Sequence, residues 1–428
     1  MKKIVYIVLD GLGDAPIKEL DNKTPLEAAY TPNMDALARK GSTGLLYPVA
    51  KNIAPESDVA VLALLGYDAQ QYYTGRGPIE AFAEGLSIDA GSLALRFNFA
   101  TVEPDGKTIK DRRVGRDLTG EEAAALVKEV NVKVTLSSAT FELKSTVGHR
   151  GVLLLKGMHS RLSSWITNTD PAYARLGLWG LAKESFTSVV EESIPMPGYE
   201  QSIPVKETAV VINEFTQKAQ KVLNESGVNR KRIAEDKLPA NILLVRDAGR
   251  DLPDCPTLES KYNVKFGCFV DMPVEKGIAL LTGMDIIEVP SATGHLEVDY
   301  SIRAKIVCES VKSYDGIYVH IKGLDEPGHD GDFQKKKEMI EMIDRYFFSN
   351  LISSISLDDH IICVTADHAT VCSKKAHSVE AVPLFIAGGA VKPDGTRSFS
   401  EKAAKRGSLG ELTGIGLLPL LISFAKNQ

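Results

Sequence analysis

Long apolar runs are scarce in this 428-residue chain. The most apolar stretch, Leu412 to Ala425, holds Pro419 and falls short of the ~20 residues that a bilayer-crossing helix needs, so it reads as a core helix. The first residues, Met1-Lys2-Lys3, pass straight into a strand-like run with no small-residue cleavage site, so no targeting segment is expected. Cysteine is sparse. Its five positions (255, 268, 308, 363 and 372) show no C-x-x-C spacing, which excludes a disulfide framework or a cysteine-rich zinc site and points to reduced thiols in a cytoplasmic protein. A basic excess is also missing: the formal net charge is −6 and the isoelectric point about 5.9. A duplex-binding surface wants the opposite balance, so neither nucleic acid nor a membrane is expected as partner. The short run Lys335-Lys336-Lys337, followed by Glu338 and Glu341, reads as the exposed face of a helix.

What remains is an ordinary globular composition, 44% apolar and 25% charged, in a chain longer than one core usually fills. Short β-branched runs alternate with helical patterns, which predicts an α/β protein with a mostly parallel sheet flanked by helices. Candidate strands are Lys3–Leu9, Thr43–Val49, Asn241–Val245, Gly316–Ile321, Ile361–Thr365 and Val382–Ile386. Thr31 to Gly41 predicts a helix, with Thr31 as N-cap, Pro32 at the first helical position and Gly41 at the end. Ser57 to Leu65 predicts another, stopped by Gly66.

Acids and histidines cluster toward both ends of the chain. Residues 76–255 have a different texture, with the Arg-rich loop Lys110 to Arg116 and the proline-punctuated loop Ser193 to Pro204. These predict a discontinuous domain, 1–75 with 256–428, into which a second α/β (α+β) domain, 76–255, is inserted.

Five of the eight histidines lie between residues 320 and 377, and that window holds Asp325-x-x-x-His329, Asp367-His368 and His377. Asp10, Asp325 and Asp367 each follow a different expected strand, and in an open parallel sheet such positions converge on one crevice. Carboxylate oxygens and imidazole nitrogens are ligands for Zn²⁺ or Mn²⁺, and three Asp with three His suit two divalent ions with positions left open. Ser57, at the start of an apolar helix, is the candidate nucleophile; taken alone it is also an ordinary N-cap. Asp10-Gly11-Leu12-Gly13 follows a strand but lacks the third glycine of a dinucleotide fingerprint. It also lacks the second acid, two residues after Asp10, that an aspartyl-phosphate site would carry. The acidic run Asp325 to Asp332 does not have EF-hand spacing.

With these residues in view, the chain resembles the alkaline phosphatase superfamily, and within it the archaeal-type cofactor-independent phosphoglycerate mutases. The resemblance rests on Leu9-Asp10-Gly11, Thr31-Pro32-Asn33, Ser57, Gly75-Arg76-Gly77-Pro78, Asp111-Arg112-Arg113-x-Gly115-Arg116, His320-x-Lys322-x-x-Asp325-Glu326-x-Gly328-His329, Thr365-Ala366-Asp367-His368 and His377. It implies interconversion of 3-phosphoglycerate and 2-phosphoglycerate through a phosphoserine, without 2,3-bisphosphoglycerate. One metal would sit among Asp325, His329 and His377, and the other among Asp10, Ser57, Asp367 and His368; Mn²⁺, Zn²⁺, Co²⁺ and Mg²⁺ all suit such ligands. His149, Arg113, Arg116, Arg246, Arg250 and Lys276 would bind the small phosphoglycerate, with Lys276 also holding charge on the transferring group and Asp170 passing a proton. Val114 stands where many relatives carry a small Ala. A metal-dependent hydrolase or a small-molecule phosphotransferase of the same superfamily remains the alternative, and a homo-oligomer stays open.

Overall fold

The computed structural model describes residues 1–426 apart from residues 184 and 291. It divides into two compact units, Met1–Tyr73 with Asp254–Asp271 and the chain from Ile278 onward, and Thr74–Pro253 with Met272–Gly277. The short Met272–Gly277 segment, which carries Lys276, thus groups with the inserted unit, whereas the expected division left it in the first.

The first unit is built on an eight-stranded sheet. In spatial order its strands are Asp285–Ile286, Phe266–Phe269, Gly316–Ile321, Lys3–Leu9, His360–Thr365, Val382–Gly388, Gly41–Tyr47 and Gly410–Thr413. Ile4 to Leu9 are fully buried, as a strand covered on both faces requires. Lys3–Leu9 runs parallel to both Gly316–Ile321 and His360–Thr365, while Val382–Gly388 is antiparallel to both of its neighbours. The sheet is therefore mixed, and mostly parallel. The Gly414–Lys426 helix buries Leu417, Leu418, Leu421 and Ile422 despite Pro419. No helix among the described residues is long and apolar enough to cross a membrane.

Three local expectations change. The Pro32–Ala38 helix starts after Thr31, but Thr31 makes no capping bond. Asp344, distant in sequence, takes that role: its carboxylate accepts from Asn33 N at 3.2 Å and Met34 N at 2.7 Å. The chain enters the Gly41–Tyr47 strand directly after this helix, so Gly41 is a strand residue; a Cβ there would lie 2.1 Å from the Ile386 carbonyl oxygen. Lys336 does not join its neighbours on an exposed face. It is completely buried and donates to Gly13 O at 3.1 Å, Asp14 Oδ2 at 2.9 Å and Thr370 O at 2.7 Å.

Glu401 is half-buried in the first unit. It accepts a 2.7 Å hydrogen bond from Thr24 Oγ1, whose own oxygen caps the Pro25–Ala28 helix. Burial pushes the Glu401 carboxyl up to about 7. Below the unfolded value, near 4.5, both states hold the proton and nothing is lost; as pH rises through 7 the fold must carry a poorly solvated charge. Glu401→Gln is therefore expected to be roughly 2–3 kcal/mol more stable than the native chain at pH 8 and equal to it at pH 4. Denaturant unfolding at the two pH values checks this.

The inserted unit has an antiparallel five-stranded sheet. Ser92–Val102 pairs with Ile109–Asp111, Arg150–Gly157 and Ile242–Gly249, and Ala139–Ser145 forms the far edge on Arg150–Gly157. The Gly120–Lys133 and Ile203–Asn224 helices contribute Leu126, Val130, Ile212 and Phe215 to its core. Val114 joins that core at φ +53°, a left-handed conformation costly for a β-branched residue, in the loop that presents Arg112, Arg113 and Arg116.

Candidate functional site

The register of three parallel strands sets the first cluster. Leu9 pairs with Ile321 and Val8 with Thr365, so Asp10, Lys322 and the Asp367-His368 pair leave the sheet along one edge. Gly11 turns at φ +68° directly after Asp10, and a Cβ there would lie 2.7 Å from Thr370 Oγ1 and 2.8 Å from Asp325 Cα. Only glycine lets this loop approach so closely. The buried Lys336 ties the same loop to the strand that follows His368.

Asp325 and His329 occupy the first turn and the i+4 position of the Asp325–Asp330 helix, with His329 Nε2 3.4 Å from Asp325 Oδ1. His377, on the Ala376–Ser378 strand, brings its Nε2 to 3.3 Å from the same oxygen. His368 Nε2 lies 3.3 Å from Asp367 Oδ2, 3.5 Å from Asp10 Oδ1 and 3.3 Å from Ser57 Oγ. Ser57 is the first residue of the Ser57–Leu64 helix, whose N-cap is Glu56, so its side chain is not spent on capping.

The imidazoles share one orientation. Nδ1 of His329 faces Lys375 O at 3.1 Å, Nδ1 of His377 faces Pro55 O at 2.9 Å, and Nδ1 of His368 faces Thr370 Oγ1 at 3.0 Å. A carbonyl can only accept, so His329 and His377 carry their proton on Nδ1. Thr370 donates its own proton to Asp325 Oδ1 at 2.6 Å, so it accepts from His368 Nδ1. With Nδ1 engaged in this way, all three rings turn Nε2 toward the carboxylates, the orientation that a metal-ligating histidine takes.

The donor set fits divalent cations. Asp325, His368 and His377 offer ligand atoms within 4.8 Å of one another, and so do Asp10, His320 and Asp367. Asp10 Oδ1 and Asp367 Oδ2 are buried and receive no hydrogen bond within the described chain, which leaves each a lone pair for a cation. The electrostatics agree. Burial would raise the Asp10 carboxyl, yet Lys322, His320 and His368 outweigh it and hold it well below its usual range. Burial would lower the His368 imidazole, yet Asp367 and Asp10 raise it well above its usual value. The pocket demands positive charge.

Sequence reasoning singled out neither His320 nor Lys322 as a site residue. His320 sits inside the buried Gly316–Ile321 strand, with no exposed surface, where an apolar neighbourhood disguises it. Lys322 Nζ lies 3.2 Å from Asp10 Oδ2 and is not a plain surface residue. The His320-x-Lys322 spacing three residues before Asp325 was the available signal.

The second cluster belongs to the inserted unit. Asp170 is completely buried, and Arg112 grips it with Nε to Oδ1 at 3.0 Å and Nη2 to Oδ2 at 2.7 Å. Arg246 Nη1 adds a 3.0 Å bond to Oδ2, and Ala172 N a 3.2 Å bond to Oδ1. A carboxylate accepting four bonds meets a substrate proton only after one donor leaves. Arg246 also stacks against Tyr173, 4.5 Å from the ring centre, and lies 3.5 Å from Asp247 Oδ2. His149 is buried beside this group. Burial first, then the fields of Arg150, Arg113, Arg246 and Arg116, push its imidazole down to about 3, so it is a neutral hydrogen-bonding partner. His149, Arg113, Arg116, Arg246 and Asp170 thus share one neighbourhood, to which Arg112 and Arg150 are additions. Among the described residues, neither Arg250 nor Lys276 makes a hydrogen bond or ion pair with this group; the Lys276 charge acts instead on Glu84.

Residues 38–229 match the family model described as 2,3-bisphosphoglycerate-independent phosphoglycerate mutase. The protein of that name from Aeropyrum pernix is 40% identical over 96% of this chain and 96% of its own. Among solved structures, a protein from Pyrococcus horikoshii aligns with a TM-score of 0.78 at 32% identity, covering 100% of this chain and 98% of its own. The cofactor-independent phosphoglycerate mutase of Thermoplasma acidophilum aligns with a TM-score of 0.60 at 34% identity, covering 99% of this chain and 100% of its own.

Proposed function

Because the chain belongs to the 2,3-bisphosphoglycerate-independent phosphoglycerate mutases, we propose that its first cluster transfers a phosphoryl group through Ser57 and that the basic cluster of the inserted unit recognises the glycerate. The chain is an isomerase that interconverts 3-phosphoglycerate and 2-phosphoglycerate. The observation that carries the assignment of residues is the position of Ser57 Oγ, 3.3 Å from His368 Nε2, which itself lies 3.5 Å from Asp10 Oδ1 and 3.3 Å from Asp367 Oδ2.

In this reading Asp325, His329 and His377 hold one divalent ion, and Asp10, Asp367, His368 and Ser57 the other. Such ions supply positive charge that favours the ionised hydroxyl and screens the phosphate oxygens. Ser57 Oγ forms a bond to phosphorus, and the bond from phosphorus to the substrate's O3 breaks. The freed glycerate turns and takes the phosphoryl group back on its other hydroxyl. Arg112 and Arg246 exchange from Asp170 onto the substrate's anionic groups, which frees an Asp170 oxygen to pass the proton between the two hydroxyls. Neutral His149 donates or accepts without adding charge, while Arg113 and Arg116 balance the substrate's anions. Arg250 and Lys276 are retained as further cations for the phosphoglycerate. The five free cysteines suit a reducing, cytoplasmic setting.

The test is a coupled assay with 3-phosphoglycerate, added divalent ion and no bisphosphoglycerate. Formation of 2-phosphoglycerate is expected. Release of inorganic phosphate in its place would identify a hydrolase and overturn the reading.

A further inference from the structure

The end of the first cluster around Asp10 has a feature that the two-ion reading does not use. Asp10, His320 and Asp367 bring three ligand atoms within 4.8 Å of one another. His320 Nε2 stands 3.8 Å from Asp10 Oδ1 and 3.5 Å from Asp367 Oδ2. The His320 ring is oriented like the other three: its Nδ1 faces the Tyr318 hydroxyl at 3.3 Å and its Nε2 faces inward. By donor type alone this group is a place for a further divalent cation.

A cation is already there. Lys322 Nζ lies 3.2 Å from Asp10 Oδ2 and 3.4 Å from His320 Nε2. An ammonium can only donate, so His320 Nε2 accepts from it and the ring's proton sits on Nδ1, toward Tyr318. The Lys322 side chain is 24% exposed while its partners Asp10 and His320 are buried, so the stem comes in from the rim and places the charge on the buried acid. An ammonium and a divalent ion at that spacing would repel strongly, so one excludes the other.

We propose that Lys322 is a tethered cation occupying a position built from Asp10, His320 and Asp367, so that this end of the cluster carries a permanent positive charge where its ligands would otherwise take a third divalent ion. The inference rests on the two-ion reading of the cluster. Its consequence is that the carboxylates of Asp10 and Asp367 stay balanced on this side whatever the supply of metal. His320 is then a positioning residue: it holds the ammonium against Asp10 and does not itself bind an ion in the native protein.

The experiment counts bound ions. The full-length native chain and its variants are loaded with excess Mn²⁺, freed of unbound metal by gel filtration and analysed for metal per chain. Two ions are expected for the native chain, three for Lys322→Ala, and two again for the double variant Lys322→Ala/His320→Ala. Lys322→Arg, which restores the charge, is expected to bind two. Three ions in Lys322→Ala would be accompanied by altered turnover, but the stoichiometry is the readout, and a merely structural lysine would not raise it. A native chain holding two ions with Lys322→Ala also holding two overturns this inference and leaves the two-ion reading intact. A native chain holding none or one overturns both. Should Lys322→Ala fail to fold, cadmium NMR of the native chain decides: two resonances support the proposal, and a third coupled to the His320 ring contradicts it.

Discussion

Ser57→Ala is expected to lower turnover of 3-phosphoglycerate by roughly 10⁴- to 10⁶-fold, the scale on which an enzyme depends on its covalent nucleophile. Ser57 Oγ points at His368 Nε2, 3.3 Å away, from the first position of a helix that draws nothing else from its side chain. The six proposed Asp and His ligands do not depend on that hydroxyl: His368 is held by Thr370 and His377 by the Pro55 carbonyl. Metal content should therefore stay at the native number, with affinity weakened by about tenfold at most. The combination separates loss of the nucleophile from loss of the site. Native turnover by the alanine variant would refute the phosphoserine route, and loss of metal along with turnover would reassign Ser57 to a ligand role alone.

Stripping the divalent ions should abolish turnover, and adding back a single type of ion should restore it without bisphosphoglycerate. The physical ground is a pair of buried oxygens, Asp10 Oδ1 and Asp367 Oδ2, that receive no hydrogen bond among the described residues. Removal of cations leaves these carboxylates and Asp325 facing one another, compensated by Lys322 and protonated imidazoles. The same linkage predicts a stability effect. Ions at a thousandfold excess over their dissociation constant stabilise the native state by about 4 kcal/mol, so chelation should lower the melting temperature by several degrees. Turnover that survives exhaustive chelation would remove the metal from the mechanism.

The parts legible in sequence were those with a local cause. Lys3–Leu9 and Gly316–Ile321 are uninterrupted apolar runs, and a strand buried on both faces writes itself in that way. Strand direction has no such signature, so the antiparallel Val382–Gly388 could not be told from its parallel neighbours. Capping of the Pro32–Ala38 helix looked local because Thr31 is a good cap, but the Asp344 carboxylate reaches those N–H groups first. Lys336 shows the same limit: its buried bonds to Asp14 and Thr370 come from distant loops, and its lysine neighbours misdirect the eye.

In the candidate site, residue types and strand ends carried the information. Acids and histidines just past strands are visible in one dimension, whereas the direction of an imidazole is not. His320 was hidden because a histidine within an apolar strand reads as core, and only the positions of Asp10, Asp367 and Lys322 around it give it a role. Asp170 likewise shows nothing of its partners in one dimension, since three of its four hydrogen bonds depend on Arg112 and Arg246 folding onto it.

The most direct test is anomalous diffraction from crystals of the Mn²⁺-loaded protein. Two peaks are expected, one among Asp325, His329 and His377 and one among Asp10, Asp367, His368 and the Ser57 hydroxyl. A single peak, or peaks away from these side chains, would contradict the account.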